Sequence, residues 1–363
     1  MQEHDKELKI LFKKVFWKMG HYSRIDVKLG SFGEPEGKNK EDIMELTDAD
    51  VLGLFFDNDF RISYSTVECK NGKNISIPRL LFWIKGVMEF LGQDTKGYLT
   101  LGTVEIPPHI REIANRLDIS LIDKKNLKGY IALYNPDDLN GNMFNFDAIQ
   151  YVQNVKGGNL TELNNYRKYH YWISRHNTNI LNIISLLKKH STVLQANNKD
   201  HQIVATDLVT LFTISLFDLC SYVIKTNLTN PTDTTIAYLY DGIFNLKRYN
   251  KVISLMGSIL EKTVDNYEDV KSMLTVVPEY YNDLIELVVR LLRRPNESKG
   301  ILRYLDIIMY EGVYPNKTNK KSVLQFNGEE NFNHYTYKLL TDIYDFIVKH
   351  TGINYDLVPV KLG

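Results

Sequence analysis

The chain has 363 residues, 44% of them hydrophobic and 24% charged, and its 44 basic and 44 acidic side chains cancel to a formal net charge of zero. That is the composition of a folded globular protein, and the zero net charge excludes a global cationic field as the basis of function; any nucleic acid must be held by a local basic surface. Two cysteines, Cys69 and Cys220, exclude a disulfide framework and suit a reducing cytoplasm, the expected location, and "MQEHDKELKILFKK" lacks the apolar core of a signal peptide.

In residues 5–19 the positions Leu8, Leu11, Phe12, Val15, Phe16 and Met19 recur at helical spacing and form one apolar stripe. "YSRIDVKLGS" reads as extended, and "GEPEGKNKED" as a polar loop. Two strand-like runs follow, "IMELTDADVLGLFF" and "RISYSTVECK", separated by the turn residues "DND". "PRLLFWIKGVMEFL" starts with a proline, suited to a first helical turn, and carries Leu80, Ile84, Val87, Met88 and Leu91 on one face. "GYLTLG" is a strand, "PPHIREIANRL" a helix and "ISLID" a last strand, giving the order α-β-β-β-α-β-α-β.

Beyond about residue 150 helical periodicity takes over. "NVKGGNLTE" (154–162) reads as a linker, so the expected division is an α/β domain over 1–153 and an all-α domain over 160–363. The helical segments are "NILNIISLLKKH", "LVTLFTISLFDLCSYVIK", "TIAYLYDGIFNL", "KVISLMGSILEKTV", "YYNDLIELVVRLLRR", "GILRYLDIIMY" and "YKLLTDIYDFIVKH". Residues 204–224 are apolar enough to span a bilayer, but Asp207 and Asp218 lie inside the stretch. Acids are costly in lipid, so a helix buried in protein is expected and no membrane.

The chemistry concentrates on the two central strand-like runs. Residues two apart share a strand face, so Asp48 lies with Asp50 and Glu68 with Lys70, while Ala49, Val51, Val67 and Cys69 point the other way. If the runs pair as a hairpin, an acid of one strand stands beside an acid and a lysine of the next. Carboxylates held that close repel unless a cation lies between them. Oxygen donors suit Mg²⁺, which completes its shell with water and substrate phosphate. Two acids and a lysine on adjacent strands are therefore the equipment of metal-assisted phosphodiester hydrolysis.

The "TDADVLG" segment, the "VECK" segment eighteen residues after Asp50, the "LLFWIKG" helix and the α-β-β-β-α-β order together resemble the PD-(D/E)xK, or restriction-endonuclease-like, nucleases. The resemblance covers about residues 1–130. It implies a central mixed sheet and a Mg²⁺- or Mn²⁺-dependent nuclease, with Asp50 and Glu68 as metal ligands and Lys70 assisting the nucleophile. The proline of the family's motif is absent before Asp50. Members often add a glutamate from the first helix, which Glu7 would match, and Asp48 is a further candidate acid. By analogy the resemblance implies DNA as substrate and a role in prokaryotic defence or DNA processing.

The remaining charged groups have two readings each. Lys73, Arg79 and Lys85 are candidates for nucleic-acid phosphate, with Lys85 pairing to Glu89 as the plainer alternative. Arg290, Arg293 and Arg294 complement a helix C-terminus, whereas the basic loop 314–322 suits backbone contact. His170, Trp172, Arg175 and His176 lack an acid or cysteine at ligand spacing and read as structural. Glu45 falls on the strand face opposite Asp50. No Walker A, dinucleotide, nucleophile-elbow or zinc-ligand motif occurs. The helical region is expected to grip nucleic acid, to form a homodimer or to bind a partner protein. A catalytically silent nucleic-acid-binding or scaffold protein on the same fold is the alternative function.

Overall fold

The computed structural model describes residues 3–32, 43–70, 76–92, 94–102, 106–155, 158–263, 267, 277–315 and 332–360. Lys73 and most of the basic loop 314–322 lie outside the described residues.

The elements of the first third follow the sequence order. Helix α1 (Glu3–Lys18) precedes β1 (Tyr22–Phe32), β2 (Ile43–Phe56) and β3 (Ile62–Lys70); α2 (Ile77–Leu91), β4 (Lys96–Leu101), α3 (Pro108–Arg116), β5 (Ile119–Ile122) and α4 (Lys124–Tyr134) complete it. The five strands form one mixed sheet in the order β1-β2-β3-β4-β5, with β1, β2 and β3 antiparallel and β3, β4 and β5 parallel. Parallel strands need a crossover, which α2 and α3 supply.

Two packing contacts fix the helices on the sheet. A Cβ on Gly53 of β2 would lie 2.7 Å from the ring of Phe16, so the glycine lets α1 come close to the strand. A Cβ on Gly97 of β4 would lie 2.5 Å from the sulfur of Met88, so α2 approaches in the same way. Ile77, Leu81, Ile84 and Met88 of α2 bury a separate small cluster against Leu99, Leu101 and Ile110.

The second half is helical. Its axis is the helix Lys199–Asn227, in which residues 203–217 are all buried. Of its most apolar eighteen-residue window, 94% is buried inside the fold. The two acids find partners there: Asp207 pairs with Arg24 and Arg167, and Asp218 accepts from Tyr238 Oη at 2.6 Å. Thr206, Thr210 and Thr213 donate to the carbonyls four residues back, which satisfies these three buried hydroxyls within the helix. "TIAYLYDGIFNL" is not one helix. Asp241 and Gly242 adopt left-handed backbone, φ 59° and 110°, and divide it into Pro231–Leu239 and Ile243–Thr263. The latter helix leaves Phe244, Val252, Leu255, Met256 and Ile259 exposed.

The expected boundary near residues 153–160 does not separate two cores. One apolar cluster contains Phe12, Leu52 and Val67 of the first region together with Leu208, Phe217, Leu305 and Tyr344 of the second. Phe56 and Phe60 pack their rings on Phe217, and Lys13 reaches Asp306 at 3.4 Å.

Candidate functional site

β1, β2 and β3 bring three acids into one row. Ile25 pairs with Val51 and Val27 with Ala49, so Asp26 stands opposite Asp50 between them. Asp26 takes left-handed backbone, φ 53°, a conformation that a non-glycine residue adopts only where its surroundings hold it there. On the other side of β2 the backbone pairing with β3 runs from Phe56↔Ile62 to Val51↔Val67, and Asp50 and Glu68 are next in line. There the Asp50 side chain takes over the ladder, its Oδ2 accepting the Cys69 backbone N–H at 2.8 Å. This accounts for a donor that would otherwise be orphaned in the interior.

Asp50 and Glu68 are both buried. Lys70 Nζ pairs with Glu68 Oε1 and lies 3.7 Å from Asp50 Oδ2. Asp50, Glu68 and Lys70, the trio singled out by sequence, are thus brought together. Burial, then the charge of Asp50, push the Glu68 carboxyl up to about 7, against the opposing pull of Lys70. Burial lowers the Lys70 ammonium, but its hydrogen bond to Glu68 and the charge of Asp50 outweigh that and hold it above the ordinary lysine value. Lys70 is consequently a firm cation, whereas Glu68 exchanges its proton near neutral pH.

Asp48 belongs to the same group. Carboxylate oxygens of Asp26, Asp48 and Asp50 lie within 4.8 Å of one another, and Asp48 sits across from Lys28 in the β1–β2 register. Glu45 is exposed and pairs instead with Lys28 at 2.7 Å.

Glu7 is not at this centre. It is exposed and lines a cleft on another side of α1 with Lys6, Lys14 and Phe146. Two positions along, roughly 200° around the helix, Lys9 points inward instead. Its ammonium pairs with Asp26 and with Asp50 Oδ1, the latter at 2.6 Å. Burial lowers the Lys9 ammonium, but the charge of Asp50 and hydrogen bonds to both acids raise it by more. Gln150 of helix α5 (Phe146–Gln153) donates to the other oxygen of Asp26 at 2.9 Å. Sequence reasoning missed Lys9 and Asp26, although Asp26 could have been found by extending the strand pairing by one strand.

No family model, curated protein or solved structure matches the chain. Its chemistry must be read from the site alone.

The other charged candidates stand apart from the acids. Lys85 pairs with Glu89 at 2.9 Å, and Arg79 is exposed in the first turn of α2. Arg290 pairs with Glu286 and Asp342, while the Arg294 guanidinium lies over the Tyr335 ring. His176 is held among Tyr64, Tyr171 and Ser215 at 3.3–3.4 Å, and burial lowers its imidazole, as befits a packed residue.

Beside Asp26 and Asp48 a cleft of about 260 Å³ opens between β1 and the segment that follows α5. Its far wall is a π-helical turn, Tyr166–His170, a geometry frequent at functional sites. Arg167 anchors that turn: fully buried, it bonds Asp207, Asn164 and the carbonyls of Val152 and Gln153.

Proposed function

We propose that the protein is a divalent-metal-dependent nuclease that hydrolyses phosphodiester bonds of DNA, built on a restriction-endonuclease-like core. The observation that carries this reading is the row of Asp26, Asp50 and Glu68 across three adjacent strands, with Lys70 bridging the last two. The α-β-β-β-α-β order and the mixed sheet agree with it.

The donor set fits the cation. The carboxylate oxygens of Asp26, Asp48 and Asp50, within 4.8 Å of one another, are hard ligands of the kind that Mg²⁺ and Mn²⁺ take. By the family resemblance Asp50 and Glu68 would hold the ion; Asp50 belongs to that cluster and Glu68 lies beside it on the next strand. When bound, such an ion supplies an activated water and Lewis-acid stabilisation of phosphoryl charge. The protein's own groups divide the remaining work. The Cys69 N–H fixes the Asp50 carboxylate through Oδ2, and Lys9 holds its Oδ1. Lys70, a cation, orients the attacking oxygen and offsets charge at the phosphate rather than taking a proton. Prokaryotic defence or DNA processing in the cytoplasm is the setting that the sequence resemblance suggests.

One observation favours a second reading, a silent nucleic-acid-binding or scaffold protein. Lys9 already places a cation between Asp26 and Asp50 without a metal. Cleavage of supercoiled, linear duplex and single-stranded DNA with Mg²⁺ or Mn²⁺, wild type beside Lys70→Ala, separates the two. We expect cutting by the wild type and a loss of at least about a hundredfold in the variant, the scale of one electrostatic group at a transition state. Equal cutting by both removes Lys70 from the mechanism. No cutting by either leaves the silent protein.

A further inference from the structure

The cleft beside the acids is not required by the chemistry just described, yet it is lined by an unusual set of side chains. Arg24, Lys28, Arg167 and Lys168 contribute four cations, and Tyr169 and Trp172 contribute half-buried aromatic surface. Three of the cations already have acidic partners. Arg24 and Arg167 both pair with Asp207, and Lys28 pairs with Glu45. Of the three acids in the lining, Asp207 pairs with both arginines and Asp26 with Lys9, while Asp48 lies across from Lys28 at the edge that adjoins the acid group.

Lys168 is different. It projects from the π-helical turn, is half-buried, and makes no ion pair among the described residues. Its amine has Asn154 Oδ1 at 3.5 Å, the limit of a hydrogen bond. Burial and then the neighbouring Arg167 charge both act against its ammonium, with only Asp207 opposing them. A cation kept partly from water without a counter-charge gains most from an anion brought to it. The wall that carries it is rigid, because Arg167 ties the turn to helix α5 and to the central helix. Asp26 and Asp48 belong both to the cleft and to the acid group, so a ligand in the cleft abuts the candidate centre.

From this placement we propose that the cleft is a subsite for the DNA strand: Lys168 binds the phosphate next to the one presented to Asp50 and Glu68, and Tyr169 and Trp172 face its base. The proposal rests on the nuclease reading for the direction of the strand, but its binding step does not depend on cutting. Phosphate contacts of this kind fix register without reading sequence, whereas aromatic faces hold bases of any identity.

Binding of a short fluorescein-labelled DNA, single-stranded and duplex, by the full chain in EDTA tests this, with the salt dependence followed by anisotropy. Lys168→Ala should weaken binding about tenfold, irrespective of sequence, and lower the slope against log salt by about one. Lys168→Arg should restore both. Lys188→Ala, an exposed lysine that pairs with Glu279 on another surface, should change neither. Equal affinity and slope for wild type and Lys168→Ala would overturn the subsite, even if the wild type cuts DNA. The subsite also fails if the wild type binds neither form of DNA, or if arginine does not rescue. A Lys168 effect in a protein that never cuts would support the subsite and sink the nuclease reading instead.

Discussion

Lys9 stands between Asp26 and Asp50, beside the Asp50–Glu68 pair to which the proposed chemistry assigns a metal ion. A buried ion pair is strongly destabilising when only one partner is removed, by roughly 3–5 kcal/mol, because the other charge is left alone. Lys9→Met should therefore lower the melting temperature of the metal-free protein. Mg²⁺ or Mn²⁺ should then restore stability to the variant, by RT ln(1 + [L]/Kd), and should raise the wild type less, since there the ion competes with the ammonium. Thermal unfolding with and without metal reads this directly. A variant that loses stability but gains none from either metal would argue that no cation is received there. The same pairing shows that Asp50→Ala is a poor probe of catalysis. It leaves Lys9 with Asp26 alone and the Cys69 N–H without its acceptor, whereas Asp50→Asn keeps an acceptor oxygen.

Glu68 yields a pH dependence of definite sign. Its carboxyl is raised from 4.5 to about 7 in the folded protein, so the folded state binds the extra proton between those values. Stability from this group is fully present below about pH 4.5 and is lost as pH rises through about 7. The loss amounts to roughly 2–4 kcal/mol for this group, by the energy of one pKa unit. Urea unfolding across that range should show the decline in the metal-free wild type, and Glu68→Gln should flatten it. A variant with the wild-type slope would place the pH dependence on some other group. Asp50, Glu68 and Lys70 were legible because an acid and an E-x-K pair fall on neighbouring strands. Lys9 was not: at the border of the α1 stripe, a lysine reads as solvent-facing until its acids are seen.

At the scale of elements, the first third was legible almost strand by strand. Period-two runs bounded by turn residues mark β1, β2 and β3, and prolines mark the starts of α2 and α3. The break at Asp241–Gly242 was masked by helical periodicity on both sides of it, and the π-helical turn has no sequence signature of its own. What positions the site is the closeness of α1 to β2, and this depends on Gly53. Gly53→Ala would drive a methyl into the buried Phe16 ring, itself stacked on His21, so the helix must move or the ring must strain. Overpacking of that kind costs about 1–3 kcal/mol. Because α1 carries Lys9, the substitution should also loosen the Lys9–Asp50 pair. Chemical denaturation, combined with the metal-induced rise in melting temperature, should show lower stability and a larger metal response than wild type. An unchanged denaturation midpoint would mean that α1 shifts without cost.

For the whole molecule, the composition and the two periodicities indicate two regions but not how they join. The shared core is invisible in sequence because its contacts lie far apart along the chain: Lys13 with Asp306, Arg24 with Asp207, and Phe56 and Phe60 with Phe217. These contacts govern how the protein unfolds. Removing the helical region would expose Phe56 and Phe60, now buried against Phe217, and would leave Lys13 and Arg24 without their acids. Each large apolar side chain returned to water costs about 1.5–3 kcal/mol, which together with the stranded charges approaches the whole stability of an ordinary domain. Residues 1–155 alone are thus expected to be unfolded or aggregated, and the intact chain to melt in one cooperative transition. Calorimetry of the full protein, beside circular dichroism and solubility of the fragment, checks both. A fragment that folds alone, with two resolved transitions in the parent, would show that the sheet region is independent of the helices. In that case the acids of β1, β2 and β3 could be studied without the helical wall that carries Lys168.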